Sequence, residues 1–134
     1  MIKMELARII IDEKRQDQVI VLKEKDGERQ LPIVIGFMEA SSIKIKLTGM
    51  EVPRPMTHDL LIQIVESFGG TLERVIIDNL VNNTFHSKLA IKTKEGETKC
   101  IDARPSDSIA LAVRSKIPIF VADDVLEKSA MTNS

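Results

Sequence analysis

Tryptophan and tyrosine are absent from this 134-residue sequence, and phenylalanine occurs only four times. So few aromatic rings leave little from which to build the stacking platforms on which single-stranded nucleic acid is commonly held. The single cysteine, Cys100, excludes an internal disulfide and a multi-cysteine zinc site. No apolar run approaches the roughly 18 to 20 residues a membrane-crossing helix needs. The first residues, MIKMELARIIID, alternate where a signal peptide would carry an apolar block. A cytoplasmic protein with no membrane partner is therefore expected. A surplus of one charge sign is missing too, since 19 basic residues face 20 acidic ones for a net charge of −1. Proteins that grip phosphates usually show a basic excess or stripe. Here the lysines are mixed with acids, as in KEKDGER and KTKEGETK, so any nucleic-acid contact has to be local. Neither GxGxxG nor GxxxxGK occurs, which removes the nucleotide-loop readings, and no HExxH pair of histidines is present. No organic cofactor is expected.

What is present is an ordinary apolar share of 43%, carried by Ile, Val and Leu. The expected organisation is one domain over residues 1–126 with a tail at 127–134, large enough to bury roughly two thirds of the surface of its unfolded chain. Met4, Leu6, Ile9 and Ile11 recur near period two and predict a strand, followed by the polar turn DEKRQDQ and a second strand in QVIVLKEK. Asp26-Gly27 predicts a hairpin turn into a third strand, RQLPIVIG. Phe37, Ala40, Ile43 and Leu47 have helical spacing, with Gly49 placed to end that helix. The two prolines of MEVPRPM predict a loop. Thr57 is expected to cap a helix, HDLLIQIVESF, whose Leu60, Leu61, Ile64, Val65 and Phe68 share one face before Gly69-Gly70 stops it. Strands are predicted again in LERVIIDNL, TFHSKLAIKTK and ETKCIDA. They are followed by a helix after Arg104-Pro105 with Ile109, Ala112 and Val113 inward, a short strand in IPIFVA, a helical turn in DDVLEKS and a frayed AMTNS.

The two halves align with each other. ARIIID (7–12) matches ERVIID (73–78), IVLKEKDGE (20–28) matches LAIKTKEGE (89–97), and MEASSIKIK (38–46) lies over SDSIALAVR (106–114). The predicted class is therefore α+β: two β-β-β-α repeats, about 4–49 and 71–116, forming a mixed, largely antiparallel sheet packed by helices. The alignment sets Glu39 opposite Asp107. It finds Val34, Gly36 and Phe37 in the first half where the second has Asp102, Arg104 and Pro105. The second half has polar groups where the first kept apolar ones.

Two stretches share the order arginine, proline, hydroxyl, aspartate: Arg54-Pro55-Met56-Thr57-His58-Asp59 and Arg104-Pro105-Ser106-Asp107. Each places a cation and backbone N–H groups near a helix start, a natural anion site. Carboxylates there could hold a divalent ion and so let an acidic pocket accept a phosphodiester. The structural reading is equally complete, because Pro, Ser or Thr, and Asp are the residues that start helices. An Asp102–Arg104 or Asp102–Arg54 ion pair would merely close the junction. His58 is a candidate acid or base, or else a partly exposed first-turn residue. His86 is expected on a strand surface, and Cys100 is expected as a small core residue.

Together, LPIVIGFMEASSI (31–43), LTGMEVPRPMTHDLL (47–61) and CIDARPSDSIALAVRSKIPIFV (100–121) resemble the bifunctional nuclease domain family, over a span of roughly Met4 to Val125. The resemblance implies a compact, usually oligomeric α/β domain and a nuclease activity on DNA and RNA of the kind ascribed to plant members. The positions it carries over are Glu39, Arg54, Thr57, His58, Asp59, Asp102, Arg104, Ser106 and Asp107. Two expectations follow. In the first, the protein is a metal-assisted phosphodiesterase. Asp102, Asp107, Asp59 and His58 are then catalytic, Arg54, Arg104, Thr57 and Ser106 bind substrate, and Mg²⁺ or Mn²⁺ sits on Asp102, Asp107 and Glu39. In the second, it is a non-catalytic binding or assembly module whose polar junction takes an anion or a partner. A homo-oligomer, a dimer in particular, is expected and is compatible with both.

Overall fold

The computed structural model describes residues 1–12, 14 and 17–129. The first strand, β1 (Ile2–Ile10), pairs antiparallel with β2 (Asp17–Glu24). Its register slips between Leu6 and Arg8. That bulge explains why the apolar spacing in the sequence jumps from Leu6 to Ile9, since both still pack against the core. β3 (Gln30–Gly36) completes a meander on β2 and is an edge strand, which is why Pro32 is tolerated within it. The second meander consists of β4 (Thr71–Val81), β5 (Thr84–Lys92) and β6 (Thr98–Ala103). Asn82 and Asn83, with φ of 52° and 62°, form the two-residue turn that joins β4 to β5 and set Val81 opposite Thr84. Asparagine is the side chain that tolerates this left-handed backbone most readily after glycine.

A short central strand, β7 (Ile119–Val121), joins the two meanders, antiparallel to β1 and parallel to β4. The sheet order is β3-β2-β1-β7-β4-β5-β6. The fold is thus the expected mixed α+β class, and each half runs strand, strand, strand, helix. The helices are α1 (Phe37–Leu47), α2 (Thr57–Ser67), α3 (Pro105–Ser115) and α4 (Asp123–Ser129). Residues 127–129, assigned to a tail from the sequence, close α4, while the expected fraying at 130–134 lies outside the described residues. None of these helices is long and apolar enough to cross a membrane.

The core is aliphatic. Ile20, Leu22, Leu31, Ile33, Val75, Ile77 and Leu89 of the strands meet Ala40 and Ile43 of α1 and Ile109 and Ala112 of α3. Burying each Ile or Leu contributes about 1.5–3 kcal/mol. α3 is the hub, packing on α1, α2, β4 and β5.

Three expectations are corrected here. Thr57 does not cap α2. The cap residue is Met56, and its N–H is taken by the Asp59 side chain three residues on, at 3.0 Å. Cys100 is exposed on the edge strand β6, where no helix covers it. The apolar face of α2 is largely open, with Leu60, Leu61 and Ile64 all exposed and Phe68, just past its end, 83% exposed. Only Ile62 and Val65 of α2 pack partly against the core. The gap this leaves between α2 and the second meander is where the candidate site lies.

Candidate active site

A cavity of about 770 Å³ runs between α2 on one side and β4, β5 and β6 on the other, closed at one end by α1 and α3. Its long walls are Leu61 and Val65 of α2, Leu72 of β4, Leu89 and Ile91 of β5, and Ile101 of β6. Its polar end gathers Glu39 and Ser42 of α1, Thr57 and His58 of α2, and Asp102, Arg104 and Asp107 at the β6–α3 junction. Helix starts converge at that end because each of α1, α2 and α3 follows an extended residue that turns the chain inward: Gly36, Met56 and Arg104.

His58 is the pivot. It is 7% exposed, buried where the sequence suggested a partly exposed first-turn residue. Its Nε2 lies 3.0 Å from Asp107 Oδ1, and its Nδ1 lies 3.2 Å from Ser42 Oγ. A carboxylate can only accept, so Nε2 carries the proton. Nδ1 then accepts from the Ser42 hydroxyl while the ring is neutral, and donates to it once the ring is charged. Asp107 therefore fixes the tautomer and is positioned to stabilise the imidazolium. Its second oxygen accepts from Arg104 Nε at 3.0 Å, and Arg104 Nη2 reaches Glu39 at 3.4 Å. Glu39 and Asp107 are the third residues of their helices, paired in the alignment of the two halves, and one guanidinium links them. Burial by itself raises the Asp107 carboxyl. The hydrogen bonds from His58 and Arg104, with the charge of Arg104, outweigh it and hold the group below its ordinary value. Arg104 is itself held more firmly protonated by Asp107 and Glu39, and its side chain stays 68% exposed at the mouth.

The remaining candidates separate. Asp102 lines the mouth, but its ion partner is Lys88 at 3.3 Å, which also faces Asp78 at 3.7 Å; neither Arg104 nor Arg54 is its partner. Thr57 lines the cavity. Ser106 does not, being buried on the other side of the junction beside β3. Arg54 lies exposed in the loop before α2, outside the cavity lining, and makes no ion pair among the described residues. Asp59 faces away from the cavity and pairs with Arg114 of α3 at 2.9 Å. Burial would raise the Asp59 carboxyl, but the Met56 N–H and Arg114 prevail and lower it. Arg114 also donates to the Ser42 carbonyl at 3.3 Å, so this pair ties α1, α2 and α3 together beneath the site.

Among the described residues no three His, Cys, Asp or Glu side chains converge to hold a metal ion. Glu39 and Asp107 are already bridged by Arg104, and Asp102 is turned to Lys88. As arranged, this donor set does not fit Mg²⁺ or Mn²⁺.

Ser42, Lys88 and Arg114 were not singled out from the sequence. Ser42 follows Glu39 by three residues on one helix, a spacing that puts both on one face and could have flagged it. Arg114 is seven residues beyond Asp107, again on one face, but its partner lies 55 residues away, out of reach of any local pattern.

The sequence profile of the bifunctional nuclease domain matches residues 20–134. This chain belongs to the bifunctional nuclease domain family. An uncharacterized protein of Mycobacterium tuberculosis is 37% identical over 123 residues, covering 92% of this chain and 73% of that protein. Bifunctional nuclease 1 of rice is 36% identical over 107 residues, and bifunctional nuclease 1 of Arabidopsis thaliana is 31% identical over 105. Both alignments cover 76% of this chain and 32% of the plant protein, so the chain spans about a third of its plant relatives. Within this bifunctional nuclease domain, the motifs that carry the resemblance are those whose helix starts meet at the polar end of the cavity.

Proposed function

We propose that this chain is a cytoplasmic nuclease that hydrolyses phosphodiester bonds of DNA or RNA at the polar end of this cavity. The observation that carries the reading is the buried Ser42–His58–Asp107 hydrogen-bond chain inside a pocket built from the family's own motifs. His58 takes the proton of the attacking oxygen at Nδ1, with the Ser42 hydroxyl, which lines the cavity, as the path to it. Asp107 stabilises the charged ring that results. Arg104, exposed at the mouth, is placed to meet the phosphate and offset charge developing on it. A positioned base of this kind accounts for about 10²–10⁴ in rate. No step is assigned to a metal ion, since Glu39 and Asp107 would first have to release Arg104.

The test is purified protein on single- and double-stranded DNA and RNA, with and without EDTA. Cleavage that falls about a hundredfold in His58→Gln and Asp107→Asn supports the assignment. Cleavage at the wild-type rate in both overturns it. Loss of activity in EDTA, restored by Mg²⁺ or Mn²⁺, would show that the carboxylates rearrange around a metal.

A second reading, an assembly module acting as a homodimer, is favoured by one observation: the open apolar row of Leu60 and Ile64 on α2 with Phe68 just past its end. Large contiguous apolar patches on soluble proteins commonly mark interfaces. Dimerisation through this row is compatible with catalysis, and sedimentation showing monomer alone would rule it out.

A further inference from the structure

Along the cavity the chemistry changes in one direction. Thr57 and His58 stand at the first turn of α2, and Leu61 and Val65 follow one and two turns on. From Thr57 to Val65 is eight residues, or about 12 Å of helix. The sheet repeats the gradient. Asp102 follows Ile101 on β6 and Arg104 lies just past its end, Leu89 lies opposite Ile101, and Ile91 and Leu72 pair at the far end. The site is therefore amphipathic, with a charged mouth and an aliphatic far end, in the size range of a small-molecule pocket. Its charge is equally specific. Among the described residues Arg104 is the one permanently cationic side chain in the lining, against the three carboxylates Glu39, Asp102 and Asp107, of which Asp102 is paired with Lys88 outside it. Such a mouth has room for about one phosphate and repels a run of them. A duplex, whose bases are stacked inward and whose outside is a dense row of phosphates, presents the wrong face to this site.

Resting on the nuclease reading above, we infer that the aliphatic end of the cavity receives one unpaired nucleobase, with its phosphate at Arg104, so that the substrate is a single strand or a strand end. The base enters between Leu61 and Val65 on one side and Leu89, Ile91 and Ile101 on the other, leaving water for an apolar slot as it does on a stacking platform. The 12 Å from polar to apolar end matches a nucleotide and is too short for a paired duplex. The scarcity of aromatic rings is consistent with this, because the base is enclosed by aliphatic walls and not stacked along an open groove.

The inference separates from the nuclease reading by changing the base without changing the backbone. Three substrates are compared with wild-type protein: a single-stranded oligonucleotide, its duplex, and a strand of the same length carrying abasic tetrahydrofuran sites. Leu61→Trp, an exposed wall position that accepts a larger ring without disturbing the core, narrows the slot. Ile101→Trp on β6 does so independently if the first variant misfolds by circular dichroism. The expected result is at least about tenfold faster cleavage of the single strand than of the duplex or the abasic strand. In either Trp variant, KM for the single strand rises about tenfold with kcat little changed. Equal cleavage of all three substrates overturns the inference and leaves the nuclease reading standing. If no substrate is cleaved, the nuclease reading fails, and the slot is judged by binding of deoxyadenosine monophosphate in calorimetry. Binding that weakens about tenfold in Leu61→Trp sustains the base site, and absence of binding to wild type overturns it.

Discussion

Replacing Asp59 with alanine distinguishes two roles for a residue that the sequence marks as catalytic and the structure places in a brace. Two interactions are lost. The first is the side-chain acceptor for the Met56 N–H at 3.0 Å, a cap contact of about 1 kcal/mol. The second is the partner of Arg114, whose side chain is only 3% exposed. Stranding a buried guanidinium costs about 3–5 kcal/mol when no water reaches it. Here the Asp59 side chain is 33% exposed and Arg114 keeps the Ser42 carbonyl, so about 2 kcal/mol is the better figure for that loss. The sum, about 3 kcal/mol, lowers the melting temperature of a chain this size by roughly 10 °C. In urea it appears as a lower midpoint at unchanged slope. Adding Arg114→Met removes the stranded charge and restores part of the loss, so the double variant is more stable than the sum of single effects implies. If Asp59→Ala unfolds within about 0.5 kcal/mol of wild type while cleavage collapses, the brace account is wrong and Asp59 acts in the chemistry.

Three further outcomes are expected. Asp59 and Asp107 have folded values below the unfolded carboxyl value of 3.8, so the stability they contribute is complete above that pH and is lost as pH falls through the lower folded values. Urea midpoints should drop steeply below about pH 4, and less so in Asp59→Asn; a flat acid limb would contradict the pairings. Single-strand binding should depend weakly on salt, with a slope of log K against log salt near −1, since among the described residues Arg104 is the one permanent cation in the cavity lining and the nearby Lys88 is held by Asp102 and Asp78; a slope of −4 or steeper would point to an extended phosphate track elsewhere. Light scattering of wild type should report a dimer and that of Phe68→Glu a monomer with its melting temperature within a few degrees. A dimer unaffected by Phe68→Glu would place the interface off the α2 row.

Most of the fold is legible in the sequence because its signals are local. Asp26-Gly27, Asn82-Asn83 and Glu95-Gly96 fall in the hairpin turns, and the alternating apolar runs between them leave the strands little choice. Gly49 and Gly69 adopt positive φ where α1 and α2 end. What escaped local reading was which apolar residues are covered. The helical stripe Leu60, Leu61, Ile64 and Phe68 has the pattern of a core face, yet α2 stands off the sheet and leaves it open. Cys100 alternates like a core residue, but β6 is the last strand of the sheet. The same limit applies to the site. Asp102 and Arg104 were recognisable as polar groups gained at one junction beside Asp107, the counterpart of Glu39, and Arg104 does bind that Asp107. Whether His58, 49 residues away, would join that junction while its neighbour Asp59 turned to Arg114 depends on the packing of α2 against α3. No sequence spacing encodes that choice.

The central claim is that His58, held by Asp107, does the chemistry of this domain. The most direct measurement is the single-strand cleavage rate of His58→Gln beside wild type, with both shown to be folded by circular dichroism. A drop of about a hundredfold or more with the fold retained is expected. A folded His58→Gln protein cleaving at the wild-type rate would contradict it.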